Sequence, residues 1–154
     1  MRVRDWPLRV IQLLSVPGLL VSYYLLLYHE EIVSYACIAD TIFDCSRVSG
    51  PTSPYSSIGE FPIAALGLIG YTAIFLAIWL RPFVAWIRHH QAAIVLGFTG
   101  LGMLFTLYLK GLELLVIHAL CEYCLYSAVI MLVMFILAAY YFAVLKGEPD
   151  KEPA

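Results

Sequence analysis

The stretch that decides the fold is residues 123–145, "YCLYSAVIMLVMFILAAYYFAVL", which contains no charged residue. A helix needs about 20 mostly apolar residues to cross the hydrocarbon core of a bilayer, so this run is long enough. Two cysteines, Cys121 and Cys124, stand where the run begins. The sequence therefore predicts a membrane-spanning helix with a pair of thiols at its mouth.

The composition of the whole chain indicates that lipid is its main solvent. Of its 154 residues, 62% are hydrophobic and only 13% are charged, which is about half the charged share of a soluble domain. A soluble domain of this length could not bury so much apolar surface. The net charge of −2 argues against a nucleic-acid partner.

Four apolar runs predict four membrane spans. They cover about residues 10–28, 61–80, 91–118 and 123–145. The third is interrupted by Lys110 and Glu113, whose spacing allows an ion pair. We therefore expect an all-α integral membrane protein, a four-transmembrane-helix bundle in a single domain over residues 1–154. An external loop, residues 29–60, separates the first two helices, and residues 146–154 form a polar tail.

The basic residues predict how the bundle is oriented, because Lys and Arg concentrate on the cytoplasmic side. Seven of the nine fall on one side of the predicted spans: Arg2, Arg4, Arg9, Arg81, Arg88, Lys146 and Lys151. Both termini are then cytoplasmic, and all four cysteines are external, where disulfides form and persist. A cleaved signal peptide is the alternative for the first span. However, its apolar stretch exceeds the usual ~7–15 residues, so we expect it to be retained.

The Cys-x-x-Cys pair is open to three interpretations. Zinc sites usually combine four ligands as two close pairs, and the other cysteines, Cys37 and Cys45, are separated by seven residues. A structural disulfide across so short a loop removes little chain entropy. A redox pair suits the motif best, because short loops of this kind are readily reduced. Cys37 and Cys45 then form either a stabilising disulfide or a second dithiol that relays electrons.

The order of these motifs resembles the vitamin K epoxide reductase family, including its bacterial homologues. A Cys-x7-Cys loop is followed by "CSRV" (45–48), "SPY" (53–55), "GEFPIAALGLIGY" (59–71) and a Cys-x-x-Cys that opens the last of four helices. The resemblance covers about residues 10–145. It implies a four-helix membrane bundle around a quinone.

The resemblance also implies roles for individual residues. Cys121 and Cys124 match the membrane-embedded pair, with Cys124 facing the quinone. Cys45 would exchange with Cys121, and Cys37 would form the mixed disulfide with a thioredoxin-like protein. Depth and family position suggest a quinone pocket lined by Ile58, Phe61, Ala64, Leu66 and Ala128.

The function that the resemblance implies is a membrane thiol oxidoreductase that supports disulfide formation. Electrons pass from a thioredoxin-like partner through both cysteine pairs to ubiquinone, menaquinone or vitamin K. Many bacterial members carry a fused thioredoxin-like domain, and this chain stops at Ala154, so we expect the partner to be a separate soluble protein. We expect the chain itself to lie in a prokaryotic plasma membrane. Reduction of vitamin K epoxide or quinone with the same cysteines is the alternative. A cysteine-ligated membrane metal-binding protein and a structural protein with a stapled loop are alternatives from other classes.

Overall fold

The computed structural model describes residues 5–33, 48, 56–58 and 61–146. Within them lie four α-helices: α1 (Trp6–His29), α2 (Ile63–Trp79), α3 (Ala85–Leu112) and α4 (Glu122–Lys146). Two short antiparallel strands, β1 (Ser57–Ile58) and β2 (Phe61–Pro62), precede α2. A π-helical turn, Glu113–Ile117, continues α3.

The four helices form an up-and-down ring. Each packs against its neighbours in sequence, and α4 closes the ring against α1. The end of the ring where α1 ends and α4 begins is called here the Cys121 end. At the opposite end, Arg81 Nη2 lies 3.1 Å from Asp5 Oδ1, which ties the start of α1 to the turn between α2 and α3. The predicted all-α membrane bundle is confirmed.

Three of the described helical segments are long and apolar enough to cross a membrane: α1, α3 with its π-helical turn, and α4. The remaining helix, α2, is apolar but has only 17 residues. The predicted span over residues 61–80 is longer, because residues 61 and 62 belong to β2 and the chain turns after Trp79. Helix α3 begins six residues before its predicted span, with Arg88, His89 and His90 in its first turns. A hydropathy criterion cannot detect a helix that extends beyond its apolar segment.

Helix α1 packs closely against α2 through small side chains. Its buried positions recur every three or four residues, as expected for a helix that crosses a neighbour at a small angle. They include Leu8, Ile11, Ser15, Gly18, Ser22 and Leu25. A Cβ atom on Gly18 would lie 2.4 Å from the ring of Tyr71, and one on Gly67 would lie 2.9 Å from Ser22 Oγ. The two backbones therefore approach at positions where a larger residue does not fit.

Helix α1 ends in a Schellman motif at the Cys121 end. The N–H group of Ile32 donates to Leu27 O, and that of Glu31 donates to Tyr28 O. Glu31 adopts a positive φ of 59°, which this type of helix end requires. The chain is thereby turned away from the axis of α1 where the predicted external loop begins.

The two halves of the bundle are filled differently. Toward the end with Asp5 and Arg81, Leu8, Ile11, Ile78, Val95 and Met134 belong to a continuous apolar core. Tyr71 and Met131 belong to the same core, and they also line a cavity in the other half. They therefore form the floor of this cavity, which lies toward the Cys121 end.

Of the glycines Gly97, Gly100 and Gly102 on α3, only Gly102 stands where a side chain would be crowded. A Cβ on Gly102 would lie 2.8 Å from Met131 Cε, and one on Gly100 would lie 3.5 Å from Phe135 Cε2. Gly97 has no atom within 4 Å of a Cβ placed there, among the residues described. The backbone of α3 thus approaches the Met131 side chain closely at the level of the cavity floor.

Candidate active site

A cavity of about 140 Å³ lies inside the helical ring at the Cys121 end. All four helices contribute to its wall, together with Val48 and Ser56 from the segment between α1 and α2. Most of the lining is apolar. The polar side chains that reach it include those of His29, Tyr71, Lys110, Glu113 and Ser127. Ligand sites commonly combine an apolar wall with a few polar groups in this way.

The two cysteines at the start of α4 occupy different environments. Cys124 is partly buried and lines the cavity. Cys121 is fully buried in a cluster with Leu25, Val48 and Ala119, against which Cys124 also packs. One sulfur therefore faces the cavity, while the other lies behind it against α1 and Val48.

The backbone before α4 explains how Cys121 becomes buried. The π-helical turn ends at His118, which adopts a left-handed conformation with a φ of 52°. This reversal directs the chain inward, so that Ala119 and Cys121 are buried while His118 is exposed. The carbonyl oxygen of Cys121 then accepts a hydrogen bond from the N–H group of Leu125, 3.0 Å away, which begins α4.

Lys110 and Glu113 form the ion pair that their spacing allows. Lys110 Nζ donates to Glu113 Oε2 at 2.7 Å, and the two side chains are 18% and 3% exposed. Both line the cavity. An ion pair inside a membrane protein is uncommon and usually faces the bundle interior, as this one does.

A hydrogen bond crosses the cavity floor between α2 and α4. The hydroxyl group of Tyr71 donates to Ser127 O at 3.1 Å and lies 2.9 Å from Ser127 Oγ. Sequence reasoning did not single out either residue. The signal was present for Ser127, because a residue three positions after Cys124 lies on the same helical face.

The structure brings together only part of the predicted quinone pocket. Ala64 and Leu66 line the cavity. Phe61 is 70% exposed, and neither Phe61 nor Ala128 is among the described residues that line the cavity. Ile58 lies in β1. On α4 the described residues that line the cavity are Cys124, Ser127 and Met131, and Ala128, one turn after Cys124, lies at the edge of this face.

The loop cysteines Cys37 and Cys45 lie outside the described residues. Val48, three positions after Cys45, is described and packs in the cluster that contains Cys121. Within the described part of the chain, no group of three or more His, Cys, Asp or Glu residues is placed to hold a metal ion.

Comparison of the sequence with protein-family models gives a match. The sequence model of the vitamin K epoxide reductase family matches residues 9–139, which is most of the 154-residue chain. No curated protein matches the chain.

Proposed function

The chain belongs to the vitamin K epoxide reductase family, and we propose that it passes electrons from a thioredoxin-like protein, through two cysteine pairs, to a quinone. The family assigns the chain to the membrane thiol/quinone oxidoreductases in general. The identity of the cysteine pairs, the quinone as final acceptor and the soluble partner are the finer parts of the proposal. Its product for the cell is an oxidised partner that introduces disulfides into other proteins.

The observation that carries the proposal is the position of Cys124 on the wall of an apolar cavity, with Cys121 buried behind it. A quinone ring is flat and apolar except for its two carbonyl oxygens, so it suits a cavity with few polar groups. A thiol on the wall can meet the ring without passing through water. The second thiol is then available to close the disulfide on the side away from the ring.

The reaction balances without another reductant. The thiols of Cys121 and Cys124 become one disulfide, and the quinone becomes a quinol. Two electrons and two protons leave the thiols, and each quinone oxygen receives one proton. The quinone supplies the redox capacity when it is bound, while the protein positions the sulfurs and excludes water.

The loop pair completes the proposed relay. A dithiol at Cys37 and Cys45 would reduce the disulfide of Cys121 and Cys124 through a mixed disulfide between Cys45 and Cys121. Support comes from Val48, because it packs beside Cys121 and follows Cys45 by three residues. Cys37 would then accept electrons from the soluble partner. We place the Cys121 end outside the cytoplasm, in accordance with the distribution of Lys and Arg.

Quinone reduction by the purified protein in detergent tests this proposal. The native chain and the variants Cys124→Ala and Cys37→Ala are assayed with dithiothreitol and, separately, with a reduced thioredoxin-like protein. We expect Cys124→Ala to be inactive with both donors. We expect Cys37→Ala to lose turnover with the protein donor and to keep turnover with dithiothreitol.

Leu125→Ala is the matched control, because Leu125 follows Cys124 and faces outward, 43% exposed. It should retain native turnover. A native chain that reduces no quinone with either donor would refute the proposal. Vitamin K epoxide, offered as acceptor in the same assay, tests the alternative substrate.

A further inference from the structure

The ion pair in the cavity wall has no part in the cysteine relay. Transfer of a charged group from water into a protein interior costs several kcal/mol, even after relaxation of the surroundings. Lys110 and Glu113 nevertheless lie on the cavity wall with little exposure. Thiol–disulfide exchange between the four cysteines does not need either group. The pair is therefore a candidate for a role toward whatever occupies the cavity.

The ammonium group of Lys110 has donors to spare. It carries three N–H donors, and one of them is used by Glu113 Oε2. Among the residues that the structure describes, no partner is present for the other two. The hydroxyl of Tyr71, another polar group of the cavity, already donates to Ser127. Lys110 is thus a cationic donor on a wall that is mostly apolar.

The backbone holds the pair in this position. Lys110 lies in the last α-helical turn of α3, directly before the π-helical turn that contains Glu113. Glu113 opens the π-helical turn, in which Leu114, Leu115 and Val116 face outward while Glu113 and Ile117 line the cavity. Single π-helical turns occur frequently at functional sites. Here the turn directs a carboxylate inward between residues that face lipid.

The size of the cavity limits what Lys110 can meet. A cavity of about 150 Å³ in another protein holds one benzene molecule, and the volume here is about 140 Å³. The cavity therefore accommodates one six-membered ring. An apolar ring that presents a hydrogen-bond acceptor to a cation fits the wall, and the carbonyl oxygen of a quinone is such an acceptor.

We propose, on the basis of the proposed function, that Lys110 Nζ donates a hydrogen bond to one carbonyl oxygen of the quinone, and that Glu113 is the positioning residue that holds the ammonium there. As the ring is reduced, this oxygen gains negative charge before it is protonated. An ammonium already in place stabilises that charge more strongly than it stabilises the neutral carbonyl. No proton leaves Lys110, because both quinol protons come from the thiols.

The test is the infrared carbonyl band of a bound quinone, which a hydrogen bond from a cation lowers. The probe is a short-chain 1,4-benzoquinone labelled with ¹³C at both carbonyl carbons. The native protein is compared with Lys110→Met/Glu113→Gln, which removes both charges and leaves neither one buried alone. Lys146→Met is the matched control, since it removes an exposed cation at the far end of α4.

We expect one carbonyl band to lie lower in the native protein and in Lys146→Met than in the double variant. Turnover with dithiothreitol should fall about 10²-fold in kcat for the double variant, the usual loss when a donor to a developing oxyanion is removed. The change in KM should be much smaller. Lys110→Gln/Glu113→Gln, which keeps a neutral donor, should give an intermediate band, and it provides a second test if the first double variant does not fold.

Identical carbonyl bands in the native protein and in both double variants would overturn the inference, whether or not the chain reduces quinones. The proposed function can also fail while the contact between Lys110 and the quinone is confirmed. A native protein with the lowered band but no turnover would contradict the proposed function and leave the contact with Lys110 standing.

Discussion

The hydroxyl oxygen of Tyr71 lies 2.9 Å from Ser127 Oγ and 3.1 Å from Ser127 O, so a hydrogen bond joins α2 to α4 across the centre of the ring. These two helices are not neighbours in the ring. Tyr71 is only 1% exposed and Ser127 is partly buried, and their contact lies between the packed half of the bundle and the cavity. It links two opposite walls of the cavity at its floor.

Removal of this hydroxyl should destabilise the bundle. Tyr71→Phe loses the hydrogen bond and leaves the polar atoms of Ser127 without it, at a cost of about 1 kcal/mol in the free energy of unfolding. Thermal unfolding in detergent measures the effect. Tyr23→Phe is the control, because Tyr23 is 52% exposed on α1, and it should leave the midpoint unchanged. Equal midpoints for the two variants would contradict the assigned role of Tyr71.

The close approach of α1 to α2 predicts a strong effect at Gly18. In Gly18→Ala the new Cβ would lie 2.4 Å from the Tyr71 ring, and overpacking of this kind costs about 1–3 kcal/mol. Gly97→Ala is the matched control, since the described structure leaves open space at that position. It should be neutral or stabilising, because Ala is the better helix former by up to about 1 kcal/mol. Chemical denaturation measures the free energy of unfolding of both variants. A Gly18→Ala variant more stable than Gly97→Ala would contradict the close approach of α1 to α2.

Loss of one member of the ion pair should cost more than loss of both. Lys110→Met leaves the carboxylate of Glu113, with its 3% exposed side chain, buried without its cation, at a cost of roughly 3 kcal/mol. The double variant Lys110→Met/Glu113→Gln should recover most of that stability. A double-mutant cycle on unfolding free energies measures the coupling. Additive single effects would mean that the two groups act independently.

The two cysteines of α4 should differ in reactivity after full reduction. Cys121 is 0% exposed, whereas Cys124 is only partly buried and lines the cavity. A membrane-permeable maleimide should therefore label Cys124 first in the folded protein, as followed by mass spectrometry of the peptides. Both should label at similar rates once the protein is unfolded. Faster labelling of Cys121 in the folded state would contradict the assigned orientation.

Hydropathy was sufficient to predict the architecture, and its failures have a clear cause. Apolar runs long enough to span a bilayer predicted the four helices, because lipid leaves the backbone few alternatives to a helix. The six-residue extension of α3 before residue 91 is polar and lies beyond the reach of that argument. The π-helical turn and the strands before α2 were also missed. Both depend on local hydrogen bonding rather than on hydropathy.

The candidate site was predicted unevenly for a related reason. Depth in the membrane pointed to Ala64, Leu66 and Ala128, but depth does not specify the rotation of a helix about its axis. Ala64 and Leu66 line the cavity, whereas Ala128, at the edge of the face that Cys124 and Ser127 share, does not. The pairing of Lys110 with Glu113 was expected, because their spacing alone brings the side chains together. Their position on the cavity wall depends on the π-helical turn.

The helices of the bundle differ in length, and α2 is shorter than the bilayer is thick. At 17 residues it rises about 26 Å, less than the roughly 30 Å of a typical hydrocarbon core. The neighbouring segment Ala85–Ile117 has 33 residues and would rise about 50 Å if fully α-helical. Lipid tails must therefore shorten beside one helix while the adjacent helix tilts or projects. Mismatch of this kind costs fractions of a kcal/mol per ångström, so we expect the bundle to favour thin membranes and to thin the lipid around α2.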